Sequence, residues 1–239
     1  MTADSNVATT GARGHRGGPR LDRDALRDVA PLLVALAPFA AVIGVQSSAD
    51  GRAAGSLAGT LVLYAGSAQV SALSLVHQGA GLVSILAAVA LINARFVAYS
   101  AALAPYFARQ PAWFRWLAPH FVIDQTYAVV TARNDLSDAA RFRRYWLTGG
   151  VVIAVVWLAA MTGGALLGPV VPHAPAIALM PAAIFVAFLA PTLTHRPSAV
   201  AVATGVLAAL VPLPAGSRVL LGTAAGAIAG LLAAKAVRR

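Results

Sequence analysis

The chain has 239 residues, of which 59% are hydrophobic and only 11% are charged. Soluble domains usually carry about 25% charged residues, so a soluble globule is excluded and a membrane protein is predicted. The formal net charge of +10 does not indicate nucleic-acid binding, because the basic residues lie at the chain ends and in short loops, as anchors beside anionic lipid do. Since about 20 apolar residues cross a bilayer, we expect one all-α bundle of six to eight membrane segments.

Residues 1–27 are polar and rich in glycine and arginine. They lack the apolar core of a secretion signal, so we expect a disordered basic tail followed by a membrane domain over residues 28–239. Arginines precede the first apolar segment, 29–46, and the positive-inside rule then places the tail in the cytoplasm.

The second segment, 53–76, carries a polar stripe at helical spacing, formed by Thr60, Tyr64, Ser67, Ser71 and Ser74. Its stretch from Tyr64 to Gln69, YAGSAQ, combines glycine with hydroxyl and amide groups. Transporters often bind substrate with such groups where a helix breaks near the midplane. Alternatively, Gly66 permits close helix packing while Gln69 bonds across helices. The residues alone leave both interpretations open.

The third segment, 81–105, contains Asn93 and Arg95. Arginine at mid-membrane costs from roughly 3 to above 10 kcal/mol, so such a residue usually faces protein or water and serves a function. Residues two apart on a helix point about 200° apart. Both side chains can therefore face one cavity only if the helix is broken there or surrounded by protein, which places this segment near the centre of the bundle.

The fourth segment, 116–133, is short. Its polar residues His120, Asp124, Tyr127 and Thr131 have a spacing that predicts one shared helical face. Asp124 and Arg95 are the opposite charges expected deep in the membrane. They either form a structural pair or act on substrate and protons. We favour function for Asp124 and a structural role for His120, which lies one turn away and could otherwise share the proton. The basic residues 133, 141, 143 and 144 predict a cytoplasmic loop.

Four plainer helices are predicted at 145–167, 176–193, 199–210 and 218–236. In the last one, Gly222, Gly226 and Gly230 repeat every four residues and form a close-packing face, for a helix of the same chain or for a second subunit. The number of spans is even, with both termini cytoplasmic. It is eight if the second and fourth segments cross fully, and six if they are re-entrant.

Enzyme signatures are poor. Ser67 with His173 or His195 could be imagined as an intramembrane hydrolase, but no G-x-S-x-G turn is present. There is no nucleotide-binding loop of the G-x-x-x-x-G-K-[ST] type, and no cysteine for thiolate sites. We predict no enzymatic activity, no cofactor and no metal site.

From residue 30 to residue 234 the chain resembles the AzlC family of bacterial branched-chain amino acid permeases. The YAGSAQ stretch is similar to the family's aromatic-Ala-Gly-small-Ala-Gln motif. Asn93-Ala-Arg95 with Tyr99 is similar to Asn-Leu-Arg followed by Tyr, and Asp124-Gln-Thr-Tyr127 to Asp-Glu-x-Tyr. The stretches 145–168 and 181–191 resemble the next two helices. Five short motifs in the expected order are fairly specific.

The resemblance implies export of leucine, isoleucine and valine, with methionine as a further candidate, across the bacterial inner membrane. It also implies proton coupling and a small AzlD-like membrane subunit as partner. Two acidic positions of the family are occupied here by Gln125 and Ile177. If those carboxylates carry protons in relatives, coupling in this chain falls to Asp124 alone, or the substrate differs.

A zwitterionic substrate needs donors for its carboxylate, acceptors for its ammonium group and an apolar slot. We assign Arg95, Asn93 and the backbone at Gly66 and Ser67 as donors. Gln69 and Asp124 are the expected acceptors. Tyr64 and Tyr127 complete the predicted site, and the slot stays unassigned. The competing hypothesis is a non-transporting membrane scaffold, whose polar residues merely hold helices together.

Overall fold

The structure is a computed structural model that describes residues 21–49, 51–170, 189–213 and 215–237, together with Ala183 and Val186. Every regular element in these ranges is helical, which confirms the predicted all-α class. The helices are α1 (Arg23–Ala49), α2 (Ala53–Leu63), α3 (Gly66–His77), α4 (Leu82–Asn93), α5 (Arg95–Ala108), α6 (Ala112–Leu117), α7 (Asp124–Thr131), α8 (Ala139–Leu167), α9 (Arg196–Ala209) and α10 (Ala215–Val237). Because α1 begins at Arg23, the predicted end of the tail at residue 27 lies inside a helix.

Four helical stretches of the described residues are long and apolar enough to cross a membrane. They are Arg23–Ser48, Leu82–Ala108, Ala139–Val170 and Ser217–Val237. Most of the predicted segment at 176–193 lies outside the described residues. Helix α9 has 14 residues, about 21 Å of helix, which is shorter than a hydrocarbon core of about 30 Å.

Helices α1 and α8 pack along their whole length and run in the same direction. At one end the backbone N–H of Asp22 donates to the Thr148 hydroxyl, and at the other Gly168 lies against Ser48. In between, the backbones are so close that a Cβ atom on Gly164 would overlap the carbonyl oxygen of Ala41. This pair forms the scaffold against which α2, α3 and α7 pack.

The second predicted segment is two half-length helices, α2 and α3, that fold back on each other. The Gln69 amide donates to the Ser56 carbonyl oxygen at 2.9 Å, and the Thr60 hydroxyl donates to the Gln69 side-chain oxygen at 2.8 Å. At the tip, Tyr64 adopts φ 35°, a left-handed conformation that is uncommon for a bulky residue. Features of both open interpretations are therefore present: the helix breaks at Tyr64 and Ala65, and Gln69 bonds across the two helices.

The fourth predicted segment is also broken, so the prediction that His120, Asp124, Tyr127 and Thr131 share one helical face is wrong. A 3-10 turn, Ala118–Phe121, follows α6, and the backbone is extended at Val122 and Ile123 before α7 begins. Proline at position 119 lacks the N–H that a continuing α-helix would need.

Contacts with α8 hold this second fold-back in place. The Trp146 indole N–H donates to the Ala118 carbonyl oxygen at 3.0 Å, and the Phe121 ring lies against Gly150, where a Cβ atom would come within 2.7 Å of it. The two ends lie near the start of α8, since Phe114 of α6 packs on Phe142 and Arg133, just after α7, lies over the Tyr145 ring. The tip, at Asp124, lies at the mid-length of the bundle.

The third segment is interrupted at Ala94, which ends α4 and precedes α5. The Ala94 N–H donates to Leu91 at 3.3 Å, three residues back, so the turn is tightened there. Ala94 keeps helical dihedral angles and the stretch Leu82–Ala108 is a continuous helix, so the turn between Asn93 and Arg95 is tightened and the helix is not fully broken there.

The glycine face of α10 packs against α9 of the same chain. A Cβ atom on Gly226 would lie 2.7 Å from the Ala201 carbonyl oxygen, and one on Gly222 would lie 2.8 Å from that of Gly205. Of the two predicted uses of this face, packing within the chain is the one observed.

An ionic cluster joins the start of α1 to the loop before α8. The Arg133 guanidinium contacts Asp28 at 2.8 Å, Asp24 at 3.4 Å and Asp135 at 2.8 Å, and Arg141 contacts Asp24 at 3.0 Å. The hydrogen bond from Arg133 lowers the pKa of the Asp135 carboxyl to about 2. Part of the basic loop thus forms ion pairs that its charge pattern alone did not predict.

We expect Arg133→Gln to lower the melting temperature of the purified protein by roughly 2–4 °C, while Arg144→Gln, at an exposed neighbouring position, leaves it unchanged. Because the folded-state pKa of Asp135 is depressed, its contribution is complete above about pH 4 and is lost as the pH falls through about 2. The difference between Arg133→Gln and the parent should shrink over that window. Equal melting temperatures at pH 7 would contradict a stabilising role.

Candidate functional site

A cavity of about 430 Å³ lies where the two fold-backs meet the middle of α1 and α8. Small-molecule sites typically measure roughly 300–1,000 Å³. The lining combines a polar wall with a larger apolar one. The residues are Leu36, Phe39, Tyr64, Ala65, Gly66, Ser67, Arg95, Phe96, Ile123, Asp124, Gln125, Ile153, Trp157 and Leu189.

The polar wall is organised by Arg95, the first residue of α5. One of its terminal nitrogens donates to the Ser67 hydroxyl at 2.7 Å and also contacts the Asp124 carboxylate at 3.0 Å. The other carboxylate oxygen of Asp124 accepts a hydrogen bond from the Tyr99 hydroxyl at 2.8 Å. Thus the Arg95–Asp124 pair joins the α2–α3 fold-back, the α4–α5 stretch and the fold-back that ends in α7.

Breaks in the helices bring these groups together. Ser67 lies in the first turn of α3, and Asp124 begins α7, where a carboxylate is favoured by the positive end of the helix. Ala65, which precedes α3, has no side-chain acceptor, so the first N–H groups of α3 have no side-chain cap. A helix start of this kind can bind an anionic group.

Three buried polar atoms near this wall have no hydrogen-bond partner among the described residues. They are the Tyr64 hydroxyl, the side-chain oxygen of Asn93 and the Nε atom of Arg95. Tyr64 is only 8% exposed and lines the cavity. Buried polar groups are nearly always paired, so the atoms of Tyr64 and Arg95, which line the cavity, point to water or a ligand there.

Five of the predicted site residues line the cavity, namely Tyr64, Gly66, Ser67, Arg95 and Asp124. Gln69 instead lines a second cavity, of about 490 Å³, beside the α2–α3 fold-back. Asn93 lies two residues before Arg95, at the end of α4, and does not line the cavity. Tyr127 stacks on Tyr99, with ring centroids 4.1 Å apart, and so supports the hydroxyl that binds Asp124.

Sequence reasoning missed Tyr99 as a member of the polar wall. Tyr99 lies four residues after Arg95 and so on the same helical face, a spacing that could have predicted its place in the wall. Sequence reasoning also left the apolar wall unassigned. Phe39 and Trp157 carry no sequence feature that separates them from other apolar helix residues.

The environment of Ser67 differs from that of a serine nucleophile. Its hydroxyl accepts a hydrogen bond from Arg95, whereas a nucleophilic serine would donate to a general base. Of the two histidines considered as bases, His195 precedes α9 and His173 lies outside the described residues. His120 stacks on the Tyr64 ring, 5.7 Å between centroids, at the tip of the fold-back.

A family model described as AzlC protein matches residues 31–171, more than half of the chain. No curated protein and no solved structure matches the chain. The matched region runs from α1 to just beyond the end of α8, and it contains the whole Arg95–Asp124 wall of the cavity. With its long apolar helices the protein is of a transport-related membrane type, and the chain belongs to the AzlC family.

Proposed function

We propose that this protein exports branched-chain amino acids, namely leucine, isoleucine and valine, with methionine as a further candidate. Export is driven by the proton gradient across the bacterial inner membrane. The observation that supports this most directly is the pairing of Arg95 with Asp124 on one wall of an otherwise apolar cavity at mid-length of the bundle. That arrangement suits a small zwitterion with an apolar side chain.

Each charged end of such a substrate has a counterpart on the polar wall. The substrate carboxylate binds Arg95, whose Nε atom is buried without a partner, and the uncapped start of α3. The substrate ammonium group binds Asp124. By inserting between the two side chains, the zwitterion replaces their mutual ion pair and leaves neither charge uncompensated.

Asp124 is also the proposed proton carrier. It is the carboxylate among the described residues that line the cavity, and the neighbouring Gln125 cannot take up a proton. A proton on Asp124 removes its attraction for the substrate ammonium group and frees Arg95 from its partner. Proton uptake at Asp124 thus opposes ammonium binding, which is the antagonism that an exchange of proton for substrate requires.

The remaining parts of the proposal come from the family. We propose that a small AzlD-like membrane subunit is required for activity, and that both termini of the chain are cytoplasmic. The basic groups that flank the apolar helices fit this orientation.

Transport in proteoliposomes separates this function from a scaffold role. Vesicles that contain the chain with the small membrane subunit encoded beside it should release preloaded labelled leucine when an inward proton gradient is imposed. Release should stop when the gradient is collapsed by a protonophore. A scaffold would bind the small subunit yet move no leucine in either condition, and that result would remove the proposal.

A further inference from the structure

The apolar half of the cavity lies opposite the Arg95–Asp124 pair. It is built from the middle of α1, through Leu36 and Phe39, and from the middle of α8, through Ile153 and Trp157. All four side chains are buried. If the two charged ends of an amino acid are held at the polar wall, its side chain has to enter this half.

Trp157 is the largest group there, and its position is well defined. Its ring packs edge-on against Phe39, with centroids 5.6 Å apart and planes at 71°. Gly66 lies against both rings: an added Cβ atom there would overlap the indole, coming within 2.7 Å of Cζ2, and would lie 3.3 Å from Phe39. Rigid aromatic side chains packed in this way adjust poorly to extra volume.

Gly66 also connects this slot to the polar wall. It is adjacent to Ser67, which accepts the hydrogen bond from Arg95. The indole of Trp157 therefore lies beside the start of α3, next to Ser67 and Arg95, where the substrate carboxylate would bind. A substrate whose carboxylate is held there would place the first carbons of its side chain beside the indole.

We infer that Trp157, with Gly66 against it, determines which amino acid side chains the cavity accepts; this inference rests on the proposed function. A branched aliphatic side chain fills the space beside the indole, whereas an aromatic side chain is too large for it and collides with the Trp157 ring. Substituting either residue changes the depth of the slot and leaves the charged groups in place.

The test measures ratios of efflux rates, which do not depend on how much protein reaches the membrane. Trp157→Phe deepens the slot and should raise the efflux rate of phenylalanine relative to that of leucine by about tenfold. This is the lower end of the discrimination that one apolar contact achieves. Gly66→Ala tilts the indole into the cavity and makes the slot shallower, so it should raise the efflux rate of valine relative to that of leucine. In the double variant, Trp157→Phe with Gly66→Ala, the valine-to-leucine ratio should return toward that of the parent. A phenylalanine side chain in place of Trp157 lacks the Cζ2 and Cη2 atoms that the methyl group added at Gly66 would otherwise meet.

Trp146→Phe is the matched control. Trp146 is a buried tryptophan on the same helix that bonds Ala118 and does not line the cavity. Its substitution should lower stability but leave both ratios unchanged. If Trp157→Phe and Gly66→Ala move the ratios no further than Trp146→Phe while the parent exports leucine, the slot assignment is wrong and the proposed function stands. If the parent exports no amino acid, both are wrong.

Discussion

Neutralising either member of the Arg95–Asp124 pair, by Arg95→Gln or Asp124→Asn, is expected to reduce leucine efflux from preloaded cells by roughly 100-fold. Each change removes a charged hydrogen bond to the substrate, worth about 1.5–3 kcal/mol. Each also leaves the other charge uncompensated. Because the two side chains are 35% and 39% exposed, that second effect is smaller than for a fully buried pair. We therefore expect both variants to reach the membrane in reduced amounts.

The double variant, with Arg95→Gln and Asp124→Asn together, separates structure from function. It carries no unpaired charge, so its abundance in the membrane should recover while leucine efflux stays lost. Arg143→Gln is the matched control, since this arginine bonds Gln110 away from the cavity. It should retain efflux. If the double variant exported leucine at the parent rate, the pair would be a structural contact and the site assignment would be wrong.

The largest effect on stability is expected for Gly164→Ala. The new methyl group would overlap the carbonyl oxygen of Ala41 and would lie 2.7 Å from its carbon atom, so α1 and α8 have to separate. Overpacking of this kind costs about 3 kcal/mol where backbone has to move, which corresponds to a fall of roughly 6–12 °C in melting temperature. Detergent-solubilised protein heated in steps and then separated by size-exclusion chromatography gives the measurement.

Gly163→Ala, one position earlier on the same helix, is the control for this prediction. An added Cβ atom there meets nothing within 4 Å. The substitution should be neutral or slightly stabilising, because alanine is the better helix former. Equal melting temperatures for the two variants would mean that α1 and α8 are not in close contact at Gly164.

The outlines of several helices could be read from the sequence because hydropathy is a local property. The predicted spans at 145–167, 199–210 and 218–236 correspond to α8, α9 and α10, with ends that differ by only a few residues in most cases. The inward position of Arg95, at the wall of a cavity, likewise follows from the cost of placing an arginine among apolar residues.

The predictions failed where helix ends depend on distant contacts. The periodicity of His120, Asp124, Tyr127 and Thr131 is genuine in the sequence, but the helix needed to display it ends at the 3-10 turn. Bonds from Trp146 and packing on Gly150 hold that turn, and both partners lie more than 25 residues further along the chain. Gln69 bonds Ser56 and Thr60, which is the cross-helix contact that the sequence left open beside substrate binding.

By itself the sequence determined that the protein belongs in a membrane and which few charged residues have to be sheltered from lipid. Both follow from transfer free energies, which each residue carries wherever it lies in the chain. Only the tertiary structure decided that two short segments fold back and meet at mid-length, and that Trp157 lies against Gly66 beside the charged pair. Close packing of this kind depends on the shapes of surfaces far apart in sequence, and hydropathy contains no information about shape.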